Sequence, residues 1–504
     1  MTVLVTEATV DPSEVGHILE PRRGLVRERP VGDDGCTFEA VEGPVQEYRR
    51  AVAVEGPPDG RRRVRQRVEY RFDLPYFGWL LGPALRRHLR PLVARTSPPW
   101  WAPPDRLDPH TAQTLAALCA LSVVAGYLGT LLTQTITFAA DEFGATKADQ
   151  GVALAVVRTD VVITVALMAM ADRRGRRPAV LFSGAVGCAL TATGALVPSL
   201  PFLAASQVAA RGFVTATVVL LAVIAAEEMP AGSRAYGVSL LAMSAALGAG
   251  VCVFLLPIAD LGRTAWRLLF AAALLGLPIV RGIAGRLPET KRFQRPHVAA
   301  PVAGHGRRFW LLALSGFLLN LFIAPASQFG NEYLRTERGF SAGRISLFTI
   351  LTATPGGIGI LVGGRLAERG RRLVGAVAVV GGVGATVLMY LSTGWPLWAW
   401  SFVGSIVGSA TIPALGVYGP ELFPTSLRGK SNGVITGVAR LGSVVGLLVA
   451  GFLSTALGGL GPAMAVLSLG PAALAVLVLV AYPETAHREL EELNPEDALP
   501  APDG

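Results

Sequence analysis

The sequence predicts an all-α membrane protein of twelve transmembrane helices in two six-helix pseudo-repeats, preceded by a small α+β extension. The 504 residues are 51% hydrophobic and only 16% charged, with a mean hydropathy of +0.48. The apolar residues gather in roughly twelve runs of about twenty residues, the length of a helix that crosses the hydrocarbon core. Lipid offers no hydrogen bonds to free backbone groups, so these runs are expected to be helical.

Polar motifs at the predicted helix ends occur twice, with a nearly constant spacing. The related segments are 172–177 with 368–372, 227–234 with 421–428, and 287–290 with 482–485. A repeat of this length indicates two copies of one membrane unit.

The repeat and the polar segments divide the chain into five regions. These are a polar cytoplasmic extension with a hairpin, an amphipathic helix and a Pro/Trp linker (1–108), an N-terminal six-helix half (109–286), a cytoplasmic central loop (287–307), a C-terminal six-helix half (308–485) and a polar tail (486–504).

Arginine residues fall in alternate loops between the apolar runs, and such loops are cytoplasmic by the positive-inside rule. This distribution predicts a multi-pass protein of the plasma membrane with both termini in the cytoplasm. Membrane orientation accounts for most of the net charge of +9, so we expect the lipid bilayer as a partner and no nucleic acid. A monomer is expected.

Within the extension, residues 63–74 alternate between charged and apolar side chains, as a half-exposed strand does. Residues 51–54 precede them across a turn rich in Gly and Pro at 56–60, which predicts a β-hairpin. The aromatic and basic stretch 76–90 has two interpretations. It could lie on an anionic inner leaflet, or it could be an ordinary helix that closes a small domain over the hairpin.

Motifs of catalysis and cofactor binding are missing. Gly429-Lys430-Ser431 resembles the end of a phosphate-binding loop, but Pro424 stands at the required first glycine and an apolar helix replaces the strand. No His-Glu-x-x-His, paired Cys-x-x-Cys or nucleophile elbow occurs. The sequence therefore predicts no enzyme, no cofactor and no metal site.

Asp172 ends the second predicted membrane helix, where a carboxylate opposes the dipole of its own helix. We therefore expect neighbouring arginines and the amino terminus of another helix to hold it. Gly175 permits the tight turn that follows, and Arg173, Arg176 and Arg177 complete the motif.

This motif and its second copy resemble the major facilitator superfamily, whose loop between helices 2 and 3 reads G-x-x-x-D-R-x-G-R-R. Met168 replaces the leading glycine here, whereas in the second copy Gly364 is present and one residue after Arg369 is missing. The resemblance covers roughly residues 111–485 and implies the major facilitator fold with a cytoplasmic gating latch between the halves. The latch residues so implied are Asp172, Arg173, Gly175, Arg176, Arg177, Glu368, Arg369, Gly370, Arg371, Arg372, Glu227, Arg234, Glu421 and Arg428.

Within the superfamily, Glu421-x-x-Pro424-x-x-x-Arg428 and the two Pro-Glu-Thr strings are similar to those of sugar porters and metabolite–proton symporters. Leu128 stands where sugar porters have an acid in helix 1, and the paired glutamines of helix 7 are missing, which counts against a hexose. The segment 247–251 lacks the proline of the antiporter signature, which counts against drug efflux.

Charged residues at membrane depth are costly and mark functional sites. Arg158, Asp160, Arg211 and Arg440 are predicted at such depth, and Asp160 is the only acid among them. We predict Asp160 as the proton carrier, with Arg211 as its partner or as a clamp for the solute. The alternative is a fixed structural pair that never titrates.

Several polar residues of the central segments are candidates for the solute path. They are Arg158, Tyr127, Gln134, Asn320, Gln328 and Arg440. Each could instead bond to a neighbouring helix. The excess of arginine over acid favours an anionic or strongly hydrogen-bonding solute.

These features predict a secondary active transporter that moves a small polar metabolite, an organic acid or a sugar-like molecule, by alternating access. Proton-coupled symport is the expected mode, so protons and a small-molecule solute are the predicted partners. Two alternatives remain: a proton-linked efflux antiporter, distinguished by the direction of flux, and a membrane sensor that binds solute without moving it.

Overall fold

The computed structural model describes residues 1–31, 35–57, 60–93, 97–99, 101–145, 153, 156–290, 305–330, 333–340 and 342–497. They form two compact units, Met1–Ala120 and Leu121–Gly504. The first unit holds the extension and the start of the first membrane helix, and the second holds the rest of the helical bundle.

The extension contains a five-stranded antiparallel sheet in the order β1-β5-β4-β3-β2. The strands are Thr2–Val10 (β1), Arg27–Pro30 (β2), Thr37–Glu42 (β3), Glu47–Glu55 (β4) and Arg62–Arg71 (β5), with helices Pro12–Ile18 (α1) and Gly78–Leu89 (α2). β4 pairs with β5, so the predicted hairpin is confirmed. Val64, Val68 and Tyr70 alternate with exposed arginines and face the core.

Helix α2 closes the extension, because Leu85 and Leu89 are buried in its core. This is the second of the two interpretations of the stretch 76–90. An ionic cluster is buried beside the helix: Glu28 accepts hydrogen bonds from Arg50 at 2.7 Å and from the Tyr48 hydroxyl at 2.5 Å. Burial raises the pKa of Tyr48, so this hydroxyl stays a donor to the Glu28 carboxylate.

The bundle is numbered here by transmembrane helix, TM1 to TM12. The N-terminal half comprises Pro109–Phe143 (TM1), a 3-10 turn Arg158–Asp160 with Val161–Arg174 (TM2), Arg176–Thr193 (TM3), Leu200–Glu228 (TM4), Arg234–Leu255 (TM5), and Trp266–Ala271 with Gly276–Ala284 (TM6).

The C-terminal half repeats this order. It comprises Gly306–Gln328 (TM7), Ala342–Ala353 with Gly356–Ala367 (TM8), Arg371–Leu391 (TM9), Trp395–Ser409 with Thr411–Gly416 and Tyr418–Glu421 (TM10), Arg428–Ala456 (TM11), and Leu460–Leu467 with Leu469–Ala481 (TM12). Within the described ranges, eleven helices are long and apolar enough to cross a membrane. TM2 is the remaining predicted span.

Glycine shapes the bundle at two kinds of position. Gly175 joins TM2 to TM3 with φ 106°, a left-handed conformation that favours glycine. Gly359 of TM8 packs directly on the backbone of Ile406 in TM10, where a β-carbon would collide with the Ile406 carbonyl. Gly359 thus permits a close contact between TM8 and TM10.

Candidate functional site

Asp172 lies at the amino terminus of TM11. Its two carboxylate oxygens accept hydrogen bonds from the backbone N–H groups of Gly429 at 2.9 Å and Lys430 at 2.7 Å. Arg176 donates to the same carboxylate at 2.6 Å. The acid therefore sits on the positive end of a helix dipole from the opposite half, which is the contact expected from the sequence.

Arg176 continues this contact into a buried chain of charges across the two halves. It donates to the Thr425 carbonyl at 2.6 Å and lies 3.5 Å from Glu227. Glu227 in turn pairs with Arg428 at 2.6 Å, and the side chains of Arg176, Glu227 and Arg428 are fully buried. The chain alternates in sign, so each buried charge has an opposite neighbour.

The second copy of the motif builds the pseudo-symmetric counterpart. Arg371 pairs with Glu421 and, at 2.9 Å, with Glu368. Glu421 lies 3.7 Å from Arg234 of the N-terminal half, and Glu368 accepts from the Ala235 N–H at 2.6 Å. Together the two sets of contacts form what we call the interhalf ion network, defined by Asp172, Arg176, Glu227, Arg234, Glu368, Arg371, Glu421 and Arg428.

The remaining motif residues support the network from its edges. In the Pro-Glu-Thr strings, Glu289 accepts from the N–H of Arg176 at 2.9 Å, and Glu484 accepts from that of Arg371 at 3.1 Å. These glutamates cap the amino termini of TM3 and TM9. Five predicted latch residues lie at the same turns: Arg173, Arg177, Arg369, Gly370 and Arg372.

The chain after TM12 also joins the network, which the sequence did not predict. Asp497 accepts from the Thr425 N–H at 2.9 Å and pairs with Arg428 at 3.3 Å. Glu489 pairs with Arg234 at 3.3 Å. Leu490 and Leu493 are buried and anchor this segment. The only sequence signal for this segment is the spacing of Leu490 and Leu493 around two acids, and two leucines are too few to distinguish it from a polar tail.

These contacts close the bundle at the end that arginine assigns to the cytoplasm. TM2 packs against TM11 and TM5 against TM8, and both pairs join opposite halves. The structure is therefore one in which the two halves meet at the predicted cytoplasmic end.

Asp160 lies on the same TM2–TM11 contact, farther into the bundle. It is fully buried and forms an ion pair with Arg440 of TM11, whose side chain is 24% exposed. Thr215 of TM4 donates to Asp160 at 3.1 Å and accepts from Arg440 at 2.8 Å. Asp160 precedes Asp172 by twelve positions, which is about 18 Å along a helix.

Arg440 thus occupies the position that the sequence interpretation gave to Arg211. Arg211 lies one turn before Thr215 on TM4 and donates to the carbonyl of Gly129 in TM1. The periodicity of TM4 places Arg211 and Thr215 on one face, so Arg211 still belongs to the same region. The side chain of Arg158 lies outside the described residues.

The other predicted path residues make local contacts. Tyr127 donates to the Leu269 carbonyl at 2.7 Å. Asn320 of TM7 donates to the Gly316 carbonyl at 2.9 Å and accepts from Ser443 of TM11 at 3.3 Å. Gln328 is exposed near the end of TM7, and Gln134 is partly buried in TM1. Of these residues, Asn320 is tied to TM11 one turn from Arg440.

At the opposite end of the bundle, Glu142 clamps TM1 to TM6. It accepts from the Trp266 ring nitrogen at 2.6 Å and pairs with Arg267 at 2.8 Å. Burial alone would raise the pKa of Glu142, but the hydrogen bonds from Arg267 and Trp266 outweigh burial and lower it below its ordinary value. A carboxylate with a lowered pKa stabilises the fold above its ordinary pKa and loses that contribution as the pH falls.

We expect Glu142→Gln to lower the free energy of unfolding by about 1–3 kcal/mol at neutral pH. The difference from the wild type should shrink as the pH falls below the ordinary glutamate value of about 4.3. It should vanish only below the lowered pKa of the native Glu142 carboxyl, where that group is protonated as well. Thermal unfolding of the full chain in detergent between pH 3.5 and 7.5 measures both effects. Glu55→Gln, at an exposed position of β4, is the matched control, and an equal pH response in both variants would contradict the assignment.

The architecture defines a class: a multi-pass membrane protein of two pseudo-symmetric helical halves joined by a buried ion network. The family model described as Major Facilitator Superfamily matches residues 309–502. A search of curated proteins finds no match. The matching part is the C-terminal half and its tail.

Solved structures extend the likeness to most of the chain. The proton:xylose symporter XylE bound to 6-bromo-6-deoxy-D-glucose is 18% identical with a TM-score of 0.65, and the match covers 77% of this chain and 98% of XylE. The E. coli fucose:proton symporter FucP is 16% identical with a TM-score of 0.61, covering 73% and 98%. The human organic anion transporter MFSD10 is 17% identical with a TM-score of 0.60, covering 73% and 99%. The chain has the major facilitator fold, and its resemblance to that superfamily is confirmed.

Proposed function

We propose that this chain is a secondary active transporter that moves a small polar metabolite across the plasma membrane by proton-coupled symport. The solute is an organic acid or a sugar-like molecule, and the chain performs transport rather than catalysis. The two halves rock about a central site and expose it to either side in turn. Both termini and the extension lie in the cytoplasm.

One observation supports this function above the others: a buried acid and an arginine from opposite halves form an ion pair. We place this pair near the middle of the membrane, because Asp160 lies about 18 Å along the helix from Asp172. A carboxylate so placed is costly unless it is paired. A group that alternates between an ion pair and a protonated form couples proton binding to the separation of the halves. Asp160 has that position, and Thr215 gives its carboxylate a hydrogen bond in the paired state.

The interhalf ion network supplies the second requirement, a state in which one side is shut. Its members lie on both halves and bond across the interface. Breaking these contacts at the cytoplasmic end and forming others elsewhere would expose the site to the cytoplasm. The likeness to proton symporters named xylose and fucose transporters agrees with this proposal.

Uptake into liposomes that contain the purified full chain tests the proposal. A panel of radiolabelled sugars and organic acids is offered with an inward proton gradient, with no gradient and with an outward gradient. Symport is supported by accumulation that only the inward gradient drives. Accumulation driven by the outward gradient would show antiport instead, and saturable binding without net flux would show a sensor.

A further inference from the structure

Asp160 and Arg440 differ in how far their side chains are exposed. Asp160 is fully buried, whereas Arg440 keeps 24% of its side chain exposed. Thr215 bonds to both and fixes their orientation. The guanidinium is therefore the member that a solute in the central region could reach.

The pair also crosses the boundary that moves in alternating access, so the inference rests on the proposed function. TM2 and TM11 pack together, with Gly433 against Met168 and Gly437 against Val161. Opening the cytoplasmic end separates these helices and breaks the pair. A buried charge that loses its partner is strongly destabilising, so Asp160, whose side chain is fully buried, needs a replacement partner or must become neutral. Arg440, whose side chain is partly exposed, gives up its bond to Asp160 and presents that side of its guanidinium to the solute.

Protonation can neutralise Asp160 but not Arg440. A protonated carboxyl is neutral and can still bond to Thr215. Arg440 has no such route, since an arginine guanidinium does not lose its proton in proteins. The guanidinium stays charged, so an anion can take the place that Asp160 leaves.

We infer that the solute is a small carboxylate that replaces Asp160 on Arg440. The planar guanidinium matches the two oxygens of a carboxylate. Arg211, on the same face of TM4 as Thr215, adds positive charge to the region. Ser443, one turn along TM11 from Arg440, and its hydrogen-bond partner Asn320 on TM7 offer neutral hydrogen-bonding groups for the rest of the molecule.

The charge balance fixes the stoichiometry. Before exchange, an ionised Asp160 neutralises Arg440; after exchange, the solute carboxylate does so and Asp160 carries one proton taken from the aqueous phase. Arg211 keeps its charge in both states. One proton and one monocarboxylate thus cross together, and no net charge moves.

Binding to the purified full chain tests the ligand class by shifts of the melting temperature. The probes are acetate, lactate, pyruvate and benzoate, their neutral amides acetamide, lactamide, pyruvamide and benzamide, and inorganic phosphate. At least one acid should stabilise the wild type while its amide does not. Its affinity should rise up to about tenfold per unit of falling pH, because a proton binds with it.

Substitutions at each position distinguish the roles of Arg440 and Asp160 in binding. Arg440→Gln should lose the binding of the acid, and Arg440→Lys should retain part of it. Asp160→Asn, which mimics the protonated acid, should bind at pH 7.5 as tightly as the wild type does at low pH and should show no pH dependence. Binding unaffected by Arg440→Gln would overturn the inference.

Flux measurements distinguish failure of this inference from failure of the proposed function. In liposomes, a potential set by potassium and valinomycin should leave uptake of the acid unchanged within twofold, whereas a proton gradient should drive it. Proton-driven uptake of an amide, a sugar or phosphate, or no stabilisation by any of the four acids, would overturn the carboxylate site and leave proton coupling standing. If the acid binds but its uptake does not respond to the proton gradient, the proposed proton coupling is overturned and the carboxylate site stands.

Discussion

Asp160→Asn should abolish proton-driven accumulation, reducing it on the order of a hundredfold, while exchange of labelled for unlabelled solute across the membrane continues. Asparagine keeps the size of aspartate but cannot carry the proton, so the gradient no longer acts on the conformational equilibrium. Uptake under an inward proton gradient and solute exchange at equal pH are measured in the same liposomes.

The variant also leaves Arg440 without its carboxylate. Breaking a buried pair in this way costs about 3–5 kcal/mol, and the partial exposure of Arg440 places the expected loss at the lower end. Thr159→Val, at the exposed neighbouring position, is the matched control and should retain accumulation. Accumulation by Asp160→Asn that still follows the proton gradient fully would remove Asp160 from the coupling mechanism.

Asp172→Asn should shift the equilibrium of the halves toward a state that is open at the cytoplasmic end. The substitution removes the charge that accepts from Gly429 and Lys430 and that pairs with Arg176. A charge at a partly buried helix terminus is worth up to about 2 kcal/mol. The loss should therefore change the ratio of the two states by about thirtyfold.

A reporter cysteine measures this shift. Val165 faces Gly433 across the TM2–TM11 contact, so Val165→Cys, in a chain whose four native cysteines are replaced by serine, should react with an impermeant thiol reagent only when the cytoplasmic end opens. Its labelling rate from that side should rise in Asp172→Asn. Arg174→Gln, an exposed neighbour outside the network, controls for loss of charge. Equal labelling with and without Asp172→Asn would count against the latch.

The sequence predicted the contacts that follow from local rules. A carboxylate at the wrong end of its own helix needs a cation or another helix's amino terminus, and Asp172 has both. The repeat predicted that Glu368 and Arg371 would form a related set, and they do. Alternating residues predicted the β4–β5 hairpin, because burial of one face imposes a period of two.

The contacts that the sequence did not predict depend on tertiary structure. Asp160 pairs with a residue of the other half, and no local pattern gives the relative register of TM2 and TM11. Strands β2 and β3 are short and largely polar, with Glu28 buried by its partners rather than by its own character. The segment after TM12 has too few apolar residues to be distinguished from a polar tail.

That last segment has a mechanical consequence. Glu489 holds Arg234 of one half, and eight positions later Asp497 holds Thr425 and Arg428 of the other. A segment of nine residues, 489–497, thus connects the two lobes through these contacts. The lobes cannot part on that side until one of these contacts breaks, so we expect residues 489–497 to slow any separation of the two halves.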